Sequence, residues 1–121
     1  MQITAPVSGT EADAWDTLTA ALGLKGLSVG QRWTAPAGVP ALSGVAEYVS
    51  RSPYDALLRL DTPGPGVAAL GAFNFGGQSM VALNFYHYGD QAAETVARET
   101  PLWQSWIQER FPMPAEMSKS E

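Results

Sequence analysis

The sequence contains no cysteine, and this absence excludes several kinds of chemistry at once. Disulfide bonds, thiolate nucleophiles and cysteine-based zinc sites all require a thiol. Histidine is nearly absent as well, because His87 is the only one, and no pair of carboxylates has the spacing of metal ligands. We therefore expect no metal and no other cofactor.

Positive charge is also scarce, with 7 Lys and Arg against 12 Asp and Glu and a net charge of −5. Nucleic-acid binding and binding to anionic membranes both draw on clustered basic residues. No apolar run approaches the roughly 18 residues of a membrane span, and the N-terminus lacks the pattern of a signal peptide. We expect no nucleic-acid partner, no membrane and a cytoplasmic location.

Apolar residues are plentiful, at 45% of the 121 residues, whereas charged residues make up 16%. A chain of this length and composition is typical of a domain with one core. The 12 glycines and 9 prolines favour short strands joined by tight turns. We predict a single domain over residues 1–112 and a flexible polar tail over 113–121.

Two segments have the pattern of helices. Thr10 is a good N-cap for a helix over 11–22, and Gly23 suits its left-handed end. A second, longer helix is predicted over 91–111, with an apolar stripe formed by Ala93, Val96, Ala97, Thr100, Trp103, Trp106, Ile107 and Phe111. Pro101 interrupts it, so that either one helix bends there or a new helix begins. A continuous, bent helix is the favoured interpretation.

Alternation of apolar and polar residues predicts strands in the rest of the chain. Pro6 has no amide donor, so the first strand either lies at a sheet edge or stops at that residue. The expected strands are 2–7, 27–33, 42–50, 56–61 and 80–88. Residues 67–72 fit either a strand or a helical turn, whereas residues 72–75 have an extended pattern. Gly76-Gly77 indicates a hairpin turn, and Gly44 indicates a bulge or a bend.

This order predicts an α+β fold, in which a curved antiparallel sheet of five to six strands packs on a long C-terminal helix. One short helix precedes most of the sheet. Such a sheet needs a cover for its apolar face, and the C-terminal helix is the only element large enough to provide it.

Three short stretches resemble motifs of one superfamily. Ala5-Pro6, followed by Ala14-Trp15 and Leu18, is similar to its opening strand and first helix. Residues 42–48 resemble its strand with the pattern "G.V..". The run 88–90, leading to Trp103 and Trp106, resembles its last strand and its tryptophan-bearing terminal helix.

On these motifs the chain resembles the SRPBCC or START-like superfamily, the helix-grip fold of the birch-pollen allergens. Within it, the bacterial group similar to the activator of the heat-shock ATPase is the nearest. The family usually has two helices between its first two strands and seven strands in all, which this chain is too short to match. It is either a compact variant or one that completes its sheet by pairing with another chain.

The resemblance implies a hydrophobic cavity between the sheet and the terminal helix. The candidate lining residues are aromatic and apolar side chains of predicted strands and of that helix: Trp33, Tyr48, Leu58, Phe73, Phe75, Leu83, Phe85, His87, Trp103 and Trp106. Most of these are equally explained as ordinary core residues. A lone histidine in a strand is more often packed than functional. Glu47 and Arg59, in adjacent strands, form the natural ion pair.

Three candidate functions follow from the predicted fold and the candidate residues. The first is non-catalytic binding of a small apolar or aromatic ligand. The second is an interaction module that binds a partner protein or a second copy of itself, in the manner of a regulatory or co-chaperone-like domain. The third is an enzyme such as a cyclase or hydrolase, which has the least support because no positioned nucleophile or base is evident. No catalytic residues are assigned.

Overall fold

The computed structural model describes residues 1–51 and 53–112, and the predicted tail at 113–121 lies outside them. The described elements are, in chain order, β1 (Gln2–Val7), α1 (Glu11–Leu22), β2 (Arg32–Thr34), β3 (Ser43–Arg51), β4 (Tyr54–Thr62), β5 (Gly66–Phe75), β6 (Gln78–His87) and α2 (Ala92–Arg110). The strands form one antiparallel sheet in the order β1-β6-β5-β4-β3-β2. The predicted α+β fold, with a curved sheet, a short N-terminal helix and a long C-terminal helix, is confirmed.

Helix α1 begins and ends as its sequence predicts. The hydroxyl of Thr10 accepts a hydrogen bond from the backbone N–H of Asp13, and the Asp13 carboxylate accepts one from the backbone of Thr10. This reciprocal capping satisfies N–H groups that have no partner inside the helix. Gly23 ends the helix at φ 73°, a conformation that glycine adopts without strain.

Most strands lie within two residues of their predicted bounds, one open question is settled and the predicted hairpin turn is confirmed. Residues 66–75 form the continuous strand β5, and Gly76 and Gly77 turn the chain into β6. Strand β1 lies at the sheet edge beside β6, as Pro6 requires.

The strand predicted over 27–33 is wrong for most of its length. Only Arg32–Thr34 is extended, and the preceding residues form turns. Gly26 and Gly30 have φ of 80° and 83°, in the left-handed region that breaks an extended strand. Val29, which lies inside the predicted strand, is consequently in a turn and 75% exposed.

Strand β3 contains two register irregularities, and one of them changes which side chains face the core. Ala46 pairs with Leu58, whereas Tyr48 pairs with Leu57, so that Glu47 is an extra residue. Such a bulge moves the following side chains to the opposite face. Alternation predicted one face for Ala46 and Tyr48, and that prediction is wrong. The bulge expected at Gly44 is confirmed by the shift between Ser43 and Gly44.

Helix α2 runs without a break through Pro101, which confirms one continuous helix. The stripe predicted for its first half is wrong, because Ala93 and Ala97 are exposed. The buried side chains are instead Thr95, Glu99, Trp103, Trp106 and Ile107. Helix α2 lies against β1 and β6, and α1 lies against β4, β5 and β6. Both helices therefore cover the same face of the sheet.

Ion pairs between exposed side chains connect β3 to β4 and to α1. The predicted pair of Glu47 and Arg59 is confirmed, with Nη1 and Oε1 3.4 Å apart. Arg51 of β3 pairs with Asp16 of α1, and the hydrogen bond to Asp16 and its negative charge raise the pKa of Arg51. All four side chains are substantially exposed, so these pairs contribute little to stability.

A candidate ligand site beneath the terminal helix

Three aromatic side chains pack together between α2 and the sheet. They are Trp103 and Trp106 of α2 and Phe85 of β6, and we call them the aromatic cluster. The ring centroids of Phe85 and Trp103 are 4.9 Å apart. Those of Trp103 and Trp106 are 5.4 Å apart, with the rings at 74° to each other. This edge-to-face geometry is favourable for aromatic rings. Residues 103 and 106 share one face of α2, and that face meets the inner face of β6.

Three more of the predicted residues lie in the same core. Leu58 and Leu83 are fully buried on the inner face of the sheet. Trp33 is 6% exposed, and its Nε1–H donates to the carbonyl oxygen of Leu22 over 2.8 Å. The structure therefore gathers six of the ten candidates, including the aromatic cluster, on the helix side of the sheet.

The other three aromatic candidates lie on the opposite side, which we call the open face: the surface of the sheet turned away from both helices. Phe73 and Phe75 alternate with the buried Ala72 along β5 and are 38% and 75% exposed. Tyr48 is turned there by the bulge at Glu47 and is 41% exposed. These residues are separated from the aromatic cluster by the sheet itself.

His87, the last of the ten, lies at the end of β6 and is half-buried. Its Nδ1 is enclosed by protein and has no hydrogen-bond partner in the described structure. A side chain at Gly66 would come within 2.8 Å of this nitrogen, so glycine is needed there to leave room for the imidazole. His87 and Thr95 line a groove of about 250 Å³ beside the loop 63–65.

Trp106 presents a second unpartnered polar atom. The residue is 5% exposed, and its Nε1–H finds no acceptor in the part of the chain that is described. Buried polar groups are nearly always hydrogen-bonded, so this donor requires an explanation. Trp106 lines a groove of about 380 Å³, which we call the loop groove, between α2 and the connection from β2 to β3. Its other walls are Gly38, Val39, Pro40, Leu102, Ser105 and Glu109.

Glu99, one turn before Trp103 on α2, is buried and was missed by the sequence interpretation. Its side chain is 7% exposed, and its ion-pair partner is the adjacent Arg98, with Nε and Oε2 3.3 Å apart. The available signal was the spacing of four between Thr95, Glu99 and Trp103, which places the three on one side of a helix. Sequence interpretation assigns a glutamate to the solvent side by default, because buried carboxylates are rare.

The loop groove places apolar side chains beside a residue whose buried N–H has no partner in the described structure. Trp106 is purely a donor, whereas a carboxylate such as that of Glu99 is an acceptor. Within residues 1–51 and 53–112, no three His, Cys, Asp or Glu side chains lie close enough to hold a metal ion. In the same residues, no helix is long and apolar enough to cross a membrane.

Comparison with known proteins supports the fold and leaves the family open. No protein-family model matches the chain, and no curated protein matches it. Solved structures do match. The Aha1 dimer from Colwellia psychrerythraea has 8% identity and a TM-score of 0.63, with 90% of each chain covered. Protein MLL2253 from Mesorhizobium loti has 10% identity and a TM-score of 0.67, covering 91% of this chain and 92% of that one.

A third similar structure is DynU16, a protein of the dynemicin biosynthetic locus, at 10% identity and a TM-score of 0.65. The match covers 91% of this chain and 45% of DynU16. At these identities the similarity establishes the fold alone. The chain thus has the fold of small proteins in which a curved sheet packs on a terminal helix, consistent with a helix-grip domain.

Proposed function

We propose that this protein is a START-like, helix-grip domain that binds a small, largely apolar molecule at the aromatic cluster. The molecule enters through the loop groove and accepts a hydrogen bond from Trp106. The observation that carries this proposal is the buried Nε1–H of Trp106, which has no partner in the described structure and belongs to a residue of the groove wall.

The chemistry of the groove defines the class of ligand. Val39, Pro40, Leu102 and the Trp106 ring supply apolar contact, whereas the indole N–H requires an acceptor such as a carbonyl oxygen. A volume of about 380 Å³ lies within the usual range of small-molecule sites. A flat aromatic ketone or a related carbonyl compound fits these requirements.

The test follows the four indole N–H signals of isotope-labelled protein by NMR while acetylnaphthalene is added. We expect the Trp106 signal to shift, because its N–H gains an acceptor. The Trp33 signal is the internal control, since its N–H already donates to Leu22. Isopropylnaphthalene has the same shape without the acceptor, and one neutral hydrogen bond makes the ketone bind about three- to tenfold more tightly.

The Trp106→Phe variant provides the matched control, because it keeps an aromatic ring and removes the donor. It is expected to bind the two naphthalenes equally. The proposal is overturned if the Trp106 signal stays unchanged up to the solubility limit of the ketone. It is equally overturned if the variant still prefers the ketone.

A second candidate function is protein interaction, and the open face is the observation that favours it. Phe73, Phe75 and Tyr86 project from this face, and Tyr86 is 60% exposed. Exposed apolar surface of this kind often marks a protein-interaction site. One protein with the same fold is described as a dimer, which is compatible with self-association here.

Light scattering at increasing protein concentration tests this second function. Tyr86→Lys would place a charge on the open face, whereas Val29→Lys changes a side chain that is 75% exposed in the turn before β2. If the open face mediates association, Tyr86→Lys lowers the average mass and Val29→Lys leaves it unchanged. Equal masses for both variants and the unmodified protein would argue against the open face.

A further inference from the structure

A groove of about 250 Å³ lies where the end of β6 and the loop before β5 meet the first turn of α2. We call it the proline groove, because Pro63 and Pro65 form part of its wall. The loop groove lies along the second half of α2, so the two sites are at different ends of this helix. A ligand in the proline groove therefore goes beyond the function proposed above.

The hydroxyl of Thr95 lines this groove and has no hydrogen-bond partner in the described structure, although the residue is only 4% exposed. Thr19 and Thr100 behave differently, because each donates its hydroxyl to the carbonyl oxygen four residues earlier, over 2.8 and 2.6 Å. The Thr95 atom nearest the loop is Oγ1, which would lie 3.4 Å from a Cβ at Gly64. Buried hydroxyls are nearly always hydrogen-bonded, so this one requires a partner from the groove.

His87 supplies a second polar group to the same groove. Its Nδ1 is enclosed without a partner, whereas Nε2 is not among the enclosed atoms and is the ring nitrogen that reaches solvent. In protein interiors, an N–H without an acceptor is rarer than a carbonyl oxygen without a donor. By the same reasoning, a neutral imidazole ring of His87 carries its proton on Nε2. The ring therefore presents an N–H donor at its open nitrogen.

The start of α2 adds free backbone donors beside the groove. Gln91, the N-cap residue, makes no side-chain cap. The N–H groups of Ala92 and Thr95 donate to carbonyl groups of residues before the helix, whereas those of Ala93 and Glu94 have no partner in the described residues. Unpaired N–H groups at a helix N-terminus, together with the helix dipole, favour a negative charge. The groups around the proline groove are thus mainly donors.

We propose that the proline groove binds the carboxylate of a small organic acid. The hydroxyl of Thr95 and the Nε2–H of His87 donate to the carboxylate oxygens, and the proline rings pack against a short apolar body. The groove is smaller than the usual site for a drug-sized molecule, which limits that body to a few carbon atoms. Asp90 also lines the groove, but it is exposed, so the high dielectric constant of water weakens its repulsion.

The test uses His87 as its reporter, because isotope-labelled histidine gives the NMR signals of a single imidazole ring. Sodium isobutyrate is added at constant pH and ionic strength, with sodium chloride as the reference. We expect a saturable shift of Nε2 with a dissociation constant on the order of millimolar. Isobutyramide has the same shape without the charge and is expected to bind about three- to tenfold more weakly. A shift that is absent, not saturable or reproduced by chloride overturns the proposal, and so does equal binding of the amide.

Thr95→Val removes the hydroxyl and keeps the shape of the side chain, and it is expected to weaken isobutyrate binding about three- to tenfold. Thr100→Val is the matched control, the same change on the same helix at a hydroxyl that is bonded to Val96, and it should leave binding unchanged. Circular dichroism checks that both variants are folded, and the titrations of the unmodified protein decide the proposal if Thr95→Val is not. Equal binding by the two folded variants overturns the role of Thr95. Trp106→Phe should bind isobutyrate normally, so a failure here is distinct from a failure at the loop groove.

Discussion

The indole N–H of Trp33 donates a hydrogen bond to the carbonyl oxygen of Leu22, and the two atoms are 2.8 Å apart. Leu22 is the last residue of α1, where carbonyl groups have no partner within the helix. Trp33 lies in β2, the short edge strand that pairs with β3. One side chain thus satisfies the end of a helix and fixes a three-residue strand against the core.

Trp33→Phe is expected to lower the free energy of unfolding by about 1–3 kcal/mol, because the Leu22 carbonyl loses its donor while remaining buried. Urea unfolding followed by circular dichroism measures the change. Tyr88→Phe, at a residue that is 55% exposed, also removes one polar group and is expected to change stability by less than about 0.5 kcal/mol. Equal effects of the two substitutions would contradict the role given to Trp33.

Gly44→Ala tests the close approach of β3 and β4 at the first bulge. A Cβ at Gly44 would lie 1.9 Å from the Arg59 carbonyl oxygen, so the backbone would have to move. We expect a loss of about 3 kcal/mol or more in the free energy of unfolding.

Gly71→Ala is the control for this prediction, because its Cβ would meet the Tyr54 carbonyl oxygen at an ordinary 3.5 Å. Its effect is expected to stay below about 1 kcal/mol in either direction. A similar loss for both glycines would show that the strands accommodate a side chain at Gly44.

Glu99→Gln tests whether the buried carboxylate of α2 has a cost in stability. Removing its charge is expected to raise the free energy of unfolding by about 1 kcal/mol, because one exposed neighbouring arginine compensates poorly for its desolvation. Glu109→Gln, at an exposed position of the same helix, should change stability by less than about 0.5 kcal/mol. A clear decrease in the free energy of unfolding of Glu99→Gln would instead show that the carboxylate is an essential hydrogen-bond acceptor in the folded structure.

Local patterns predicted most of the fold, because the caps, turns and alternation of this chain agree with its final structure. Thr10 and Gly23 define α1 at both ends, and the pattern of β6 is unambiguous. The segment 27–31 shows the limit of alternation. Leu27, Val29 and Gln31 have the right period for a strand, but Gly26 before them and Gly30 among them adopt left-handed conformations that only the tertiary structure selects.

The candidate site was predicted only in part, for two physical reasons. A bulge shifts the phase of every later side chain, so Tyr48 could not be assigned to its face before the pairing of β3 with β4 was known. Phe73 was expected among the lining residues because of its size, although β5 alternates and its small residues, Ala68 and Ala72, face the core. Which polar atoms lack partners is a property of packing, as Trp106 shows, and no local pattern encodes it.

The pairing of β1 with β6 has a consequence for how the protein is made. A ribosome releases Gln2 long before Asn84, the residue opposite it, has been synthesised. Helix α1 and the hairpins from β3 to β6 join neighbouring stretches of chain, whereas β1 must wait for the last strand, and closing so long a loop is slow. Of the strands in this sheet, β1 is translated earliest and can pair only after the last strand has been made.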